Sequence, residues 1–394
     1  MIAEICSEGN CFGCALCESL CPKGAIKIEI REGFYRPTIL ESCVSCGRCI
    51  NCCPANNEKQ GQKNNIPEKA YAAWCKDRSI HHLSSSGGLA YRLAYEFICN
   101  GGSVAGVWFN PRQQIVEHRL FDNTNDLLYM RGSRYVNSSK TGIYKEVAEK
   151  IKEKNVLFIG VPCEVFAIKQ FISRIQHDHQ LFCIDLLCHG GASPRCLQDH
   201  ITAISRGRQV GDVSFRGGKY DCSFTVWGSD RKKMYSVGQF TDPYFLMFMK
   251  RVIYQKACYN CAYAGSERVG DITLGDFWGL DKEIEKQTDI RGINLLFINT
   301  AAGEKLIETV KSDIMLMSRP IEEAISGNDT LRAPTQKPRE YEELWKLINQ
   351  DGFHKAIKTV YGINWRRNVL ISYLKKTKSK AVNIMKEVIR GLEK

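Results

Sequence analysis

The 394-residue chain is 44% apolar and 25% charged, which suits two or three globular domains with a sizeable core and excludes a low-complexity or disordered protein. No run of 18 uncharged apolar residues occurs, so no membrane-spanning helix is expected, and residues 1–21 lack the basic start and apolar run of a secretory leader, so a cytoplasmic chain is expected. The net charge of +12 invites a nucleic-acid partner, but residues 361–394 hold nine Lys or Arg against two Glu, so most of the excess is terminal and no nucleic-acid interface is expected.

Eight of the 19 cysteines fall in residues 1–56 as two copies of one spacing. Cys11, Cys14, Cys17 and Cys21 precede Pro22, and Cys43, Cys46, Cys49 and Cys53, each 32 residues later, precede Pro54. This is the C-x2-C-x2-C-x3-C-P run of a two-cluster bacterial ferredoxin, whose fourth cysteine ligates the other cluster. Cys11, Cys14, Cys17 and Cys53 are therefore expected to hold one [4Fe-4S] centre, and Cys43, Cys46, Cys49 and Cys21 the other. Zinc pairs or a disulfide framework would leave the third cysteine, the proline and the repeat unexplained. Cys6 and Cys52 are extra and are left outside the ligand set.

Residues 57–69 are polar and carry Gly and Pro, as a linker does. Beyond them the texture is mixed α/β. Asn155 to Gly160 is a continuous apolar run followed by a helical pattern over Glu164 to Ser173, and Leu181 to Leu187 repeats the plan before a helix opened by Pro194, which predicts parallel strands. Residues 210–239 alternate as antiparallel strands do. Ile293 to Asn299 reads as another buried strand, with a helix over Glu304 to Val310. The expected divisions are 1–56, 57–69, 70–205, 206–345 and a basic helical tail, 346–394. The apolar residues of that tail, from Trp365 to Ile389, recur at roughly helical spacing, which fits a helix packed on its own domain or one that contacts a membrane surface or a partner.

Cys163 and Cys188 each follow a predicted strand, and loops at the carboxyl ends of adjacent parallel strands converge on one crevice. With the C-x2-C pair Cys258 and Cys261 they are enough for a third cubane; a zinc site, a redox-active Cys163 and inert buried thiols are the alternatives. Cys75, Cys99, Cys183, Cys196 and Cys222 read as small core hydrophobes. His189 reads as a loop histidine or, less simply, a catalytic one. Ser84 to Gly88 before a helix, and Gly132-Ser133-Arg134-Tyr135, offer hydroxyls, free amides, a guanidinium and an aromatic face to a polar cofactor, though a capped loop has the same look.

In order, Ser85-Ser86-Gly87-Gly88, Gly132 to Val136, Leu157 to Cys163, Asp185 to Gly190, Cys258-Tyr259-Asn260-Cys261 and the run Asp271 to Gly279 resemble the coenzyme F420 hydrogenase/dehydrogenase beta-subunit family over residues 68–345. The resemblance implies an α/β flavoprotein body with an iron-sulfur cluster, in which FAD exchanges a hydride with a carrier. It implies flavin contacts at Ser86, Gly87, Gly88, Ser133, Arg134 and Tyr135, and a cluster on Cys163, Cys188, Cys258 and Cys261. Arg134 stands where the family more often has lysine. The expected function is an iron-sulfur, flavin-containing oxidoreductase that couples hydride exchange at the flavin, with coenzyme F420 or NAD(P)H as the carrier, to one-electron transfer through [4Fe-4S] clusters. The alternatives are an electron-transfer subunit that docks on a partner enzyme, including one in surface-polysaccharide biosynthesis, and a binding module that has lost its flavin.

Overall fold

The structure is a computed structural model that describes residues 4–56, 66–67, 69–216, 222–284, 292–371 and 374. Most of the linker reading, and the tail beyond 371 apart from Leu374, lie outside these residues.

The chain opens with a two-stranded antiparallel hairpin, β1 (Ile26–Arg31) and β2 (Phe34–Ile39). Its two-residue turn, Glu32-Gly33, has positive φ at both positions (48° and 86°), the twist that matches a tight hairpin. Phe34, Tyr35 and Arg36 are all buried although successive side chains of a strand point to opposite faces. The hairpin is wedged into the rest of the protein: Phe34 lies 4.8 Å from the Trp345 ring, and Ser193 Oγ donates to the Gly33 carbonyl at 2.7 Å.

The body carries one eight-stranded sheet. Its strands are β3 (Ala70–Cys75), β4 (Ser103–Asn110), β5 (Ile115–Phe121), β6 (Val156–Gly160), β7 (Leu181–Leu186), β11 (Ile272–Asp276), β12 (Asn294–Ile298) and β13 (Ile314–Arg319). They run in the order β13-β3-β12-β11-β7-β6-β4-β5. The centre, β4, β6, β7 and β11, is parallel, and the flanking pairs are antiparallel. Along β6, Leu157 and Ile159 join a core with helices Leu89–Cys99 and Ala301–Val310, whereas Val156 and Phe158 join one with helices Ile143–Lys150 and Pro162–Ile172. Helices thus cover both faces, which is why β6 reads as an unbroken apolar run.

A second layer is a three-stranded antiparallel sheet, β8 (Val210–Ser214), β9 (Ser223–Gly228) and β10 (Lys233–Gly238), as the alternation predicted. It shares a core with helices Pro194–Ser205, Pro243–Met249, Tyr341–Asp351 and Phe353–Tyr361. Segments 70–205 and 206–345 both feed the large sheet. The start of the 346–394 segment belongs to the second core through Ile348, Phe353, Ala356 and Ile357. No helix among the described residues is long and apolar enough to cross a membrane.

Candidate redox site

The two N-terminal cysteine runs fold alike. Gly13 and Ala15 have φ of 62° and 61°, and Ser45 and Gly47, 32 residues on, have 55° and 73°. The same left-handed kinks throw each loop around a hollow before a short helix, Leu16–Leu20 or Arg48–Asn51. One hollow, about 370 Å3 of atom-free space, is lined by Cys11, Cys14, Cys17 and Cys53; the other, about 380 Å3, by Cys43, Cys46, Cys49 and Cys21. Each run therefore sends its fourth cysteine to the other hollow. Cys17, Cys21, Cys49 and Cys53 pack with Ile5 and Ile26 between the two. Among the described residues no three His, Cys, Asp or Glu side chains gather so as to hold a single metal ion. Four thiols of one spacing around each hollow are the donor set of a polynuclear iron-sulfur group rather than of a single ion.

Backbone amides already aim at sulfur, from Gly13 to Cys11 Sγ at 3.4 Å and from Ala25 to Cys21 Sγ at 3.2 Å. Cys6, left outside the ligand set on the sequence, lines the first hollow as well. Its thiol hydrogen-bonds with Cys11 and Cys53. That bond, and next the Arg36 guanidinium, outweigh burial and hold the Cys11 thiol down at about 6. A position five residues before the motif carried no spacing signal for this contact.

The loops after β6 and β7 bring Cys163 and Cys188 together, as their places at neighbouring strand ends require. The Lys256–Asn260 turn delivers Cys258, and Cys261 follows it. Burial, with the fields of neighbouring thiols, raises Cys163, Cys188 and Cys258, the last to about 12. Cys163 feels Cys261 and Cys188, and Cys188 feels Cys258 and Cys261, so the four form one group. Buried thiols that repel one another as thiolates are the donor set that a bound cation would relieve. Cys99 departs from its expected role and is exposed at a helix end.

Beside Cys163 lies a buried charged cluster. Lys140 Nζ is 3.0 Å from Glu164 Oε1, Ser138 Oγ donates to the same oxygen at 3.1 Å, and His118 Nε2 is 3.6 Å from Oε2. Burial raises Glu164, but Lys140 and then His118 prevail and its pKa falls below the usual value. Glu164 also accepts from the Val161 amide at 2.9 Å, fixing the first turn of the helix that carries Cys163.

The two serine-glycine segments meet: the Ser133 amide donates to Ser85 Oγ at 2.8 Å. Ser86 Oγ is buried and, among the described residues, has no hydrogen-bond partner, so it could take one from a ligand. Gly87 is demanded by packing, since a Cβ there would lie 2.5 Å from the Ala73 carbonyl oxygen, and Gly88 (φ 88°) precedes the helix Leu89–Cys99. Arg134 does not face outward: it donates to the Val213 carbonyl and lies 3.2 Å from Asp212 Oδ1. Tyr135 is stacked on Phe248 at 4.7 Å. The cation at this junction is Arg216, which the sequence did not single out. It donates to Tyr135 Oη (2.8 Å), the Ser85 carbonyl (2.5 Å) and Asp276 Oδ2 (2.6 Å), drawing both loops to the end of β11. His189 stacks on Trp278 at 5.1 Å beside Asp329, and burial lowers its pKa.

Residues 153–324, which include all four body cysteines, Arg216 and Asp276, match the family described as the C terminus of the coenzyme F420 hydrogenase/dehydrogenase beta subunit. The F-type subunit of the F(420)H(2) dehydrogenase of Methanosarcina mazei is 24% identical over 335 residues, 81% of this chain and 87% of that protein. The similarity to the coenzyme F420 hydrogenase/dehydrogenase beta-subunit family thus covers the body of the chain. The B-type subunit of the ion-translocating oxidoreductase complex of Methanosarcina acetivorans is 38% identical over 53 residues, 14% of this chain and 19% of that one. A chain of the F420-reducing [NiFe] hydrogenase complex from Methanosarcina barkeri superposes with a TM-score of 0.45 at 21% identity, over 76% of this chain and 94% of that chain.

Proposed function

We propose that this chain is a member of that family and an iron-sulfur flavoenzyme subunit that links hydride exchange to single-electron transfer toward a partner protein. Cys163, Cys188, Cys258 and Cys261 would hold one [4Fe-4S] cluster, and the two N-terminal groups, Cys11/Cys14/Cys17/Cys53 and Cys43/Cys46/Cys49/Cys21, one each. Ser86, Gly88 and Ser133 would contact FAD, with Arg134, Tyr135 and Arg216 bracing those loops from behind. When bound, the flavin supplies two-electron chemistry and the clusters one-electron conduction.

The chain's own groups do the rest. Buried thiols exclude water from iron, Lys140 lies where it offsets thiolate charge at Cys14 and Cys163, and Arg216 keeps the two loops and Asp276 in register. His189 and Trp278, the latter 46% exposed, flank the strand-end loops where a carrier would approach. The carrier suggested by the relative from Methanosarcina mazei is reduced coenzyme F420, with NAD(P)H as the competing donor.

One observation carries this reading. The first hollow and the body thiols share a core, in which Phe12, Cys14 and Leu16 pack with Tyr263, Cys163 and Cys261. Anaerobic purification with cofactor extraction tests it: bound flavin and about twelve irons per chain are expected. A colourless chain with no flavin and eight or fewer irons would overturn it. Cys163→Ser should keep the iron of the two N-terminal groups and lose the remainder along with reduction by the carrier.

A further inference from the structure

Arg36 is 4% exposed, yet no carboxylate pairs with it among the described residues. Its Nη1 donates to the carbonyls of Cys11 (3.0 Å) and Tyr35 (3.2 Å) and lies 3.4 Å from Gln255 Oε1, while its Nε has no partner. A buried guanidinium is strongly disfavoured without an anion beside it, and the Cys11 sulfur, with which the Arg36 side chain also hydrogen-bonds, is the neighbouring group that can carry the negative charge.

Two groups of thiols stand around it. The field of Arg36 reaches Cys11 in the first N-terminal group and Cys258 in the body group. Gln255 joins the same two places: its Nε2 donates to the Phe12 carbonyl at 3.0 Å, and its carbonyl accepts from the Cys258 amide at 3.0 Å. Tyr263 lies alongside, 5.6 Å from Phe12, with Cys163, Cys14, Cys261 and Cys53 all in its surroundings. The second N-terminal hollow is placed differently. Among the described residues it is lined solely by the 21–49 segment, Cys46 among them is exposed, and Val44 at its rim is 58% exposed.

We propose that Arg36, held by the β1–β2 hairpin and Gln255, is the counter-cation for an electron resident between the body centre and the Cys11/Cys14/Cys17/Cys53 centre. That centre is then the inner relay, and the Cys21/Cys43/Cys46/Cys49 centre is the outer terminal facing the partner. The inference rests on the cluster assignment proposed above. A four-thiolate cluster is anionic and gains one more negative charge on reduction, so a fixed buried cation favours the reduced form and raises the potential of the centre beside it. Arg36 acts through the centre's field and is a positioning residue.

The test is a potentiometric titration of the holoprotein followed by EPR, with Cys46→Ser marking the outer centre by altering its signal. Arg36→Met should lower the inner centre enough to shift the electron about tenfold toward the outer one, a relative change of about 59 mV for a one-electron couple. The outer centre should stay in place. Gln255→Glu, which keeps the side-chain size and sets an anion against Arg36, should move the inner centre in the same direction. Arg36→Lys should return it toward wild type. Gln255→Glu and Arg36→Lys decide the matter if Arg36→Met does not fold. With iron content intact, equal shifts at both centres, no shift at either, a shift confined to the marked outer centre, or Arg36→Lys behaving as Arg36→Met would each overturn the inference and leave the cluster assignment standing. A wild-type chain without N-terminal iron would sink both.

Discussion

Replacing Asp185 by alanine should cost this protein a large part of its stability. Asp185 lies on β7, fully buried, three residues before Cys188, and its carboxylate receives four donors. Oδ1 takes Arg268 Nη2 at 2.8 Å and Nε at 3.2 Å; Oδ2 takes the amides of Val269 at 3.0 Å and Gly270 at 2.7 Å. Arg268 is itself 2% exposed. Alanine would leave the buried guanidinium without its counter-charge, still donating to the Thr273 hydroxyl and the Tyr263 and Gly265 carbonyls, and would take the carboxylate from two buried amides; breaking a buried ion pair from one side costs about 3–5 kcal/mol. That is a large share of the ~5–15 kcal/mol that holds a typical domain together. With a urea m-value of about 3 kcal/mol/M, the unfolding midpoint should fall by about 1 to 1.7 M. The contact also ties the segment after Cys261 to the strand before Cys188, so iron in the body group should fall while the two N-terminal groups keep theirs. Removing both charges, as Asp185→Leu with Arg268→Met, should recover part of the loss, because only the two amides stay unanswered. A midpoint change below about 0.3 M for Asp185→Ala, or a double variant weaker than the single one, would refute this account.

Two further outcomes concern regions away from the cysteines. His354, stacked on Trp365 at 4.7 Å and facing His200, is pushed down to about 3 by burial first, then by His200 and Arg366. Its ordinary value is near 6.5, so between pH 6.5 and 3 the unfolded chain binds a proton that the folded chain refuses, and stability must fall as pH drops through that window. The loss from this group should reach about 2 kcal/mol at pH 5 relative to pH 8, and urea melts of His354→Gln should show a correspondingly flatter pH dependence; parallel curves would contradict it. At the β1–β2 turn, a Cβ on Gly33 would lie 2.5 Å from the Trp345 ring, whose indole N–H is fixed on the Val252 carbonyl at 3.1 Å. Gly33→Ala should cost about 1–3 kcal/mol and speed hydrogen exchange in the hairpin, whereas Gly24→Ala, also at positive φ (60°) but with open space around it, should show only the smaller backbone penalty.

The parts of this structure that the sequence made readable are those governed by short-range rules. The crossed lining of the two N-terminal hollows followed from a repeat, and the buried strands Val156–Gly160 and Leu181–Leu186 from unbroken apolar runs with Pro162 and Pro194 opening the next helices. The meeting of Cys163 with Cys188 followed from the geometry of neighbouring parallel strands. What escaped reading was fixed by distant partners. β3 lies between β12 and β13, more than 200 residues away in sequence, and its six residues carry no periodic signature. Arg216, Arg36 and Gln255 sit in ordinary surroundings, and their importance comes from atoms 25 to 219 residues distant. Tyr135 looked like an aromatic face for a ligand because its packing on Phe215, Phe245 and Phe248 and its tether to Arg216 exist only once the second layer has folded.

The duplicated kinks at Gly13 and Ser45 have unequal freedom. A methyl group on Gly13 would press 2.9 Å from the Tyr35 carbonyl oxygen and near Gln255, while its counterpart Ser45 already carries a side chain and is exposed. Twin loops of one shape thus answer to different constraints. The inward copy is locked to its own body, and the outward copy has room for new side chains along its rim. A chain built this way can be refitted to a different electron acceptor by rewriting one half of a repeat, with the other half and everything behind it left as it was.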